Sequence, residues 1–212
     1  MSSGERLREF LRTWLPGLAG WVKKLSLWRH GRRDRETVFT WIYQERLWQE
    51  QESPSGPFAD LAQTQAVTQA LPALVRELGV RTLLDAACGD FHWMKEITLP
   101  VEQYIGVDIV ADMLALNQQR YGNRQRRFIR ADIRRDPLPQ ADLILCRDGF
   151  QVMPFKDIKA TLSNFRRSGA AYLLATTFPA LPVNLDNLPG NFRPLNLCRP
   201  PFNFPADRKS VV

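Results

Sequence analysis

Apolar positions follow two rhythms along the chain. In the first third they recur at helical spacing, and beyond residue 79 they gather into short runs separated by helical stretches. Val38, Trp41, Ile42, Leu47 and Trp48 predict a helix over 35–51 with an aromatic face. The run Glu52-Ser53-Pro54-Ser55-Gly56-Pro57 breaks it with turn residues. A second helix is expected over 59–78, bent at Pro72 and stopped by Gly79. Apolar runs at 80–86, 104–109, 127–129, 141–146 and 171–176 then read as five buried strands. Helical patterns at 91–97, 111–121 and 155–167 lie between them, while the segment holding Pro137 and Pro139 has room only for a rudimentary helix. Strands alternating with helices predict an α/β fold whose parallel sheet is covered on both faces. After Thr177 the chain turns Pro-rich and reads as a loop laid over the body.

Composition narrows the function classes. With 212 residues, 44% hydrophobic and 24% charged, the chain is neither disordered, collagen-like nor mainly membrane-embedded. The net charge of +7 is localised: residues 1–35 carry nine Lys/Arg against Glu5, Glu9 and Asp34, and the body is nearly balanced. The chain therefore divides into a basic amphipathic arm, 1–35, and a domain, 36–212. Trp14, Trp21 and Trp28 among basic residues suit peripheral contact with a membrane surface, or equally a helix packed on the body. The longest uncharged run of the arm, 13–22, is too short to span a bilayer and contains Pro16, Gly17 and Gly20. Cys88, Cys146 and Cys198 are odd in number and outside metal-ligand spacing, and only His30 and His92 could assist them. These counts predict a reducing, cytoplasmic setting and no metal. A nucleic-acid partner is disfavoured, because basic charge is concentrated in the arm instead of on the body. The seven arginines between Arg120 and Arg135 read as a solvated face.

Chemistry is expected beyond the carboxyl ends of the strands, where open parallel sheets bind ligands. The first strand leads into Asp85-Ala86-Ala87-Cys88-Gly89-Asp90, the second ends at Asp108-Ile109, the third leads to Asp132-Ile133, and the fourth ends at Arg147-Asp148. One such Asp alone also reads as a helix cap or turn residue. Four in succession, with a glycine in the first turn, point to a nucleoside site. Asp108 lies where a carboxylate meets ribose hydroxyls, accepting two hydrogen bonds side by side. Asp132 would accept from an exocyclic amine and Ile133 would cover a ring face. Asp90 stands where a dinucleotide's phosphates would lie, so the site suits a cationic sulfonium and ammonium better than a pyrophosphate.

The residues 83–94, Leu-Leu-Asp-Ala-Ala-Cys-Gly-Asp-Phe-His-Trp-Met, resemble the first motif of class I S-adenosylmethionine-dependent methyltransferases. Residues 104–110 resemble the acidic second motif, and 131–133 and 142–148 the third and fourth. A bacterial subgroup of these enzymes is similar over about 39–205. Its marks here are Trp48 before Glu52-Ser53-Pro54-Ser55-Gly56, then Thr176-Thr177-Phe178-Pro179 and Arg193-Pro194-Leu195-Asn196-Leu197. The resemblance implies a Rossmann-like sheet ordered 3-2-1-4-5, here with the last strands missing or vestigial because prolines fill the tail. It implies S-adenosylmethionine as cofactor, held by Asp85, Ala86, Cys88, Gly89, Asp108, Ile109, Asp132, Ile133 and Arg147. Asp148 is the candidate catalytic base, and Ser55, Thr177 and Arg193 are candidates for binding a small-molecule methyl acceptor. Three departures favour an alternative, a degenerate fold that binds cofactor or a partner without turnover. Ala87 and Phe91 replace glycines of the general pattern, Phe58-Ala59 replace Gly-Ser, and Val152 stands where the subgroup carries His. Trp93 reads as a packing residue and His92 as a surface or capping one.

Overall fold

The computed structural model describes residues 34–48 and 52–205, so the arm lies outside the described residues apart from its last two positions. Helix α1 (Arg35–Gln44) opens on Asp34, whose carboxylate accepts from the Thr37 backbone N–H at 3.0 Å. That bond satisfies one of the donors a helix N-terminus leaves free. The expected helix is shorter than its pattern, because Arg46 takes a left-handed backbone (φ 50°) and the chain turns over 45–48. A single 3-10 turn (Pro57–Ala59) precedes α2 (Leu61–Glu77), which runs through Pro72.

Five strands form one parallel sheet ordered β3-β2-β1-β4-β5: β1 (Thr82–Ala86), β2 (Gln103–Asp108), β3 (Arg126–Arg130), β4 (Leu143–Cys146) and β5 (Tyr172–Ala175). Helix α3 (Ala111–Tyr121) joins β2 to β3, and α4 (Phe155–Arg167) joins β4 to β5. Strand side chains alternate between faces. Leu83, Tyr104, Leu143 and Leu145 pack with Leu71 and Val75 of α2, while Leu84, Ile105, Val107, Ile144 and Cys146 pack with Ile158 and Phe165 of α4. Both faces are thus buried, which explains why the strands read as continuous apolar runs.

The helix expected over 91–97 does not form. Phe91 is left-handed (φ 61°), a conformation an α-helix cannot use, and only one 3-10 turn (Met94–Glu96) follows. Phe91 is instead fully buried, its ring 5.1–5.3 Å from those of Tyr104, Tyr121 and Phe128, with the Arg126 guanidinium 4.8 Å from its centroid. Aromatic packing offsets the backbone cost at this position.

Among the described residues no strand pairs with the outer edge of β5, where Tyr172 and Leu173 are exposed. The Pro-rich tail is ordered without a ladder. Prolines lack the donors a ladder needs, and polar side chains take over. Asn184 donates to the carbonyls of Asn196 and Pro200, and Asn196 to those of Pro179 and Leu181. Leu195 and Leu197 of the same tail are buried in the core on the α4 face.

Candidate active site

Turns at the carboxyl ends of the strands close on one cavity of about 360 Å³, within the size range of small-molecule sites. The β1 turn is its floor. Ala87 and Cys88 both donate backbone N–H bonds to the Val107 carbonyl (2.8 and 3.0 Å), which folds the chain over the end of β2. Ala87 is left-handed (φ 64°), as Phe91 is, so both positions where glycine is the general pattern demand the conformation glycine favours. Gly89 is also left-handed, and a Cβ there would lie 2.6 Å from the Ser55 hydroxyl oxygen. The segment containing Ser53 and Ser55 is pinned to this turn. Each serine hydroxyl donates to one oxygen of Asp90, both at 3.0 Å, and Ser55 Oγ accepts from the Asp90 backbone N–H.

Asp108, at the end of β2, accepts from the backbone N–H groups of Gly89 (3.1 Å), Ile109 (2.7 Å) and Val110 (3.1 Å). A carboxylate offers about four lone-pair positions, so three are filled and the group is fixed in orientation. Burial raises its pKa, against the opposing effect of the three N–H donors. Asn117 of α3 donates to the Gly89 carbonyl at 2.8 Å and so ties the two turns together.

At the end of β4, Asp148 takes a left-handed backbone (φ 57°) and its N–H donates to Thr176 Oγ1 at 3.0 Å. Its carboxylate meets Arg147 Nη1 at 3.1 Å. Burial raises its pKa, and the nearby Arg147 charge and the Thr176 hydroxyl oppose that rise only in part. Arg147 also donates to the Phe58 carbonyl at 2.7 Å and stands 5.3 Å from the centroid of the Trp93 ring.

The third carboxylate is differently employed. Asp132 accepts from Arg134 Nε (2.8 Å), Nη2 (2.6 Å) and backbone N–H (3.1 Å), and Arg135 Nε is 3.1 Å away. Burial alone would raise its pKa, but the two arginines outweigh it and the carboxyl is held below its ordinary range. All its acceptor positions are filled by this chain, so the expected bond from an exocyclic amine has no free oxygen here. Arg134 also reaches Asp157 at 3.4 Å, and Asp157 pairs with Arg35 of α1 at 2.5 Å, both largely buried.

Cys88, Gly89, Asp108, Ile109, Asp132, Ile133, Arg147, Asp148 and Ser55 line the cavity, whereas Asp85, Ala86, Thr177 and Arg193 do not. Asp85 is buried behind the β1 turn, where Tyr104 Oη donates to it at 2.6 Å; burial pushes its pKa up to about 7. Thr177 accepts from the Leu197 backbone N–H at 3.0 Å and so joins the tail to the end of β5. Arg193 is buried and donates to the carbonyls of Leu185, Phe150, Gln151 and Met153. Its guanidinium is spent on backbone acceptors and none of it is turned to the cavity. His92 lies off the cavity, 3.4 Å from Glu52, whereas Trp93 is buried against the apolar core and also lines the cavity.

The sequence did not mark the opposite wall. Phe39, Ile42 and Tyr43 of α1, Trp48, Phe58, Met113 and Phe192 line it, with Val152 and Met153 near Asp148. The aromatic pattern of 35–51 and the departures at Phe58 and Val152 were the available signals; nothing local distinguishes Phe192. Among the described residues no group of three or more His, Cys, Asp or Glu is placed to hold a metal ion, and no helix is long and apolar enough to cross a membrane.

Comparison with known proteins agrees with this geometry. Residues 83–169 match the methyltransferase domain family. No curated protein sequence matches the chain. Among solved structures, the complex of DhpI with SAH is similar at 16% identity, over 76% of this chain and 83% of that one, with a TM-score of 0.50. Magnesium protoporphyrin IX methyltransferase of Synechocystis PCC 6803, with bound SAH, is 20% identical over 70% of each chain, with a TM-score of 0.48. An amino pentose methyltransferase from Micromonospora echinaspora is 18% identical over 56% of this chain, with a TM-score of 0.46. The match spans 53% of that enzyme's length. The match over residues 83–169, the sheet order and the structural similarity agree on a Rossmann-like methyltransferase fold.

Proposed function

We propose that the chain transfers a methyl group from S-adenosylmethionine to a small-molecule acceptor, with Asp148 as the base. The observation that carries this reading is the charge of the cavity. Asp90, Asp108, Asp132 and Asp148 all line it, at the ends of successive strands. Arg134 and Arg135 neutralise Asp132 and Arg147 pairs with Asp148, so Asp90 and Asp108 are the carboxylates left to disfavour a phosphate and to suit a ligand bearing a sulfonium and an ammonium. Asp108 has acceptor capacity left for a ribose hydroxyl, and its three backbone N–H contacts hold it in place. Ile109 and Ile133 flank a purine ring, and Asp132 serves that end by fixing Arg134. Cys88, Gly89 and Asp90 border the amino-acid end, where Gly89 leaves room that any side chain would fill. Arg147 orients Asp148.

Bound S-adenosylmethionine supplies an electrophilic methyl carbon on a cationic sulfur, and transfer leaves neutral S-adenosylhomocysteine. Methyl transfer is an in-line displacement, so the protein's part is positioning, exclusion of water and acceptance of the acceptor's proton. Burial raises the proton affinity of Asp148, which suits it to that last task. Helix α1 and the segment over 52–59 cover the cavity and keep water from the reacting groups.

Calorimetric titration with S-adenosylmethionine and S-adenosylhomocysteine tests the reading. Saturable binding of both at micromolar concentrations is expected, and Asp108→Ala should weaken both at least tenfold. Absence of binding at millimolar ligand overturns it. Binding with no methyl transfer to any acceptor in a metabolite extract would favour the non-catalytic alternative.

A further inference from the structure

We propose that the acceptor end of the cavity is built for a planar aromatic ring, packed against a wall formed by the stacked Phe58–Phe192 pair and by Trp48, with its nucleophilic substituent at Asp148. The proposal rests on Asp148 being the base of the reaction.

The Phe58 and Phe192 rings stack with centroids 4.4 Å apart and planes at 20°, although they come from opposite ends of the domain. Phe178 meets Phe192 edge-on at 6.4 Å, so the pair is braced from behind. Phe58 lines the cavity and remains 39% exposed, so part of its ring is accessible to a ligand. Its backbone is anchored to the reacting end, because its carbonyl accepts from Arg147, which contacts Asp148. Trp48 donates its indole N–H to the Gly190 carbonyl at 2.9 Å, so its polar edge is satisfied within the protein and its ring serves as apolar wall. Val152 completes that wall beside Asp148.

Most hydrogen-bond donors in this region are already engaged, while Asp148 keeps acceptor capacity for a single nucleophilic group. Arg147 is shared among Asp148, the Phe58 carbonyl and the Trp93 ring. Asn191 donates to the Asn187 side chain at 2.9 Å. A sugar or a phosphorylated acceptor needs several free donors and acceptors, and would lose its hydration here without replacing it. An aromatic ring needs none. Stacked and edge-on contacts with Phe58, Phe192 and Trp48 favour it over a saturated ring of the same size, whose burial is equal but whose faces carry no quadrupole.

Calorimetry on the full chain loaded with S-adenosylhomocysteine tests this, with 2-naphthol and its saturated counterpart decahydro-2-naphthol as probes. The expected result is that 2-naphthol binds the loaded chain at least tenfold more tightly than the saturated alcohol. Phe58→Ala and Phe192→Ala should each weaken 2-naphthol at least tenfold while S-adenosylhomocysteine affinity stays within twofold, which also reports that the variants are folded. Equal affinity for the two alcohols, no binding of either, displacement of S-adenosylhomocysteine by 2-naphthol, or insensitivity to both substitutions overturns the proposal. Failure of the parent chain to bind S-adenosylhomocysteine counts against the methyltransfer reading instead, and the two alcohols are then compared on the unloaded chain by the same criterion.

Discussion

Asp85 should make the stability of this protein fall as pH rises through the neutral range. Its carboxyl is 4% exposed, and among the described residues Tyr104 Oη is its one hydrogen-bond donor. Burial raises its pKa from 3.8 to about 7, against the Tyr104 hydrogen bond, which favours the charged form. Because the folded value lies above the unfolded one, the folded state holds a proton that the unfolded state has released between these limits. Stability from this group is therefore full below about pH 4 and lost progressively up to about pH 7. At about 1.4 kcal/mol per pKa unit the whole effect is about 4 kcal/mol. Asp85→Asn removes the titration and keeps an acceptor for Tyr104. The variant should gain on the parent by about 3 kcal/mol between about pH 5 and pH 8, or about 10 °C in Tm for a chain of this size. Urea unfolding of both proteins across that range is the assay, and only the change in their difference matters. Tyr104→Phe should extend the parent's pH dependence upward, since it removes a bond to the carboxylate. A stability difference between Asp85→Asn and the parent that is constant with pH would refute the reasoning.

Three further outcomes follow from the site. Gly89→Ala places a methyl group at a left-handed position against Ser55 Oγ, and should cost about 2 kcal/mol in urea unfolding; S-adenosylhomocysteine affinity should fall at least tenfold by calorimetry. Asp157→Ala removes the buried carboxylate that Arg35 and Arg134 share, so it should destabilise the fold by about 2 kcal/mol. Limited proteolysis should then cleave near α1 first, and an unchanged pattern would contradict the pairing. For catalysis, activity should rise with pH as Asp148 deprotonates, because burial sets its pKa above 3.8. Arg147→Met removes a charge that lowers that pKa, so the acid limb of the kcat profile should move to higher pH, and Asp148→Asn should abolish the limb.

How much of this was legible in the sequence depends on whether a feature is local. Apolar runs marked the strands, most plainly the central β1, β2 and β4, which are buried on both faces and so apolar almost throughout, and the carboxylates after the first four runs were visible as punctuation. Their order in the sheet came from the resemblance of the motif-bearing turns. The shortened α1 and the missing helix at 91–97 were not visible, because Arg46 and Phe91 adopt left-handed backbones that their side chains do not advertise. Phe91 does so in exchange for three aromatic neighbours brought from β2, α3 and β3. Residue type likewise marked Arg193 and Thr177 as polar groups of interest, but only the fold shows them spent on the carbonyls and N–H groups of a tail too rich in proline to pair with itself. Asp132 looked like Asp108 in the sequence; Arg134 and Arg135 fill its oxygens, whereas backbone N–H groups leave Asp108 a vacancy. The aromatic wall lies furthest from sequence reach. Phe58 and Phe192 share no period, and they stack in a cavity that Trp48 also lines because the turn after α1, the segment over 52–59 and the tail converge there. Periodicity records which face of an element is buried, and long-range packing decides which side chains come together there.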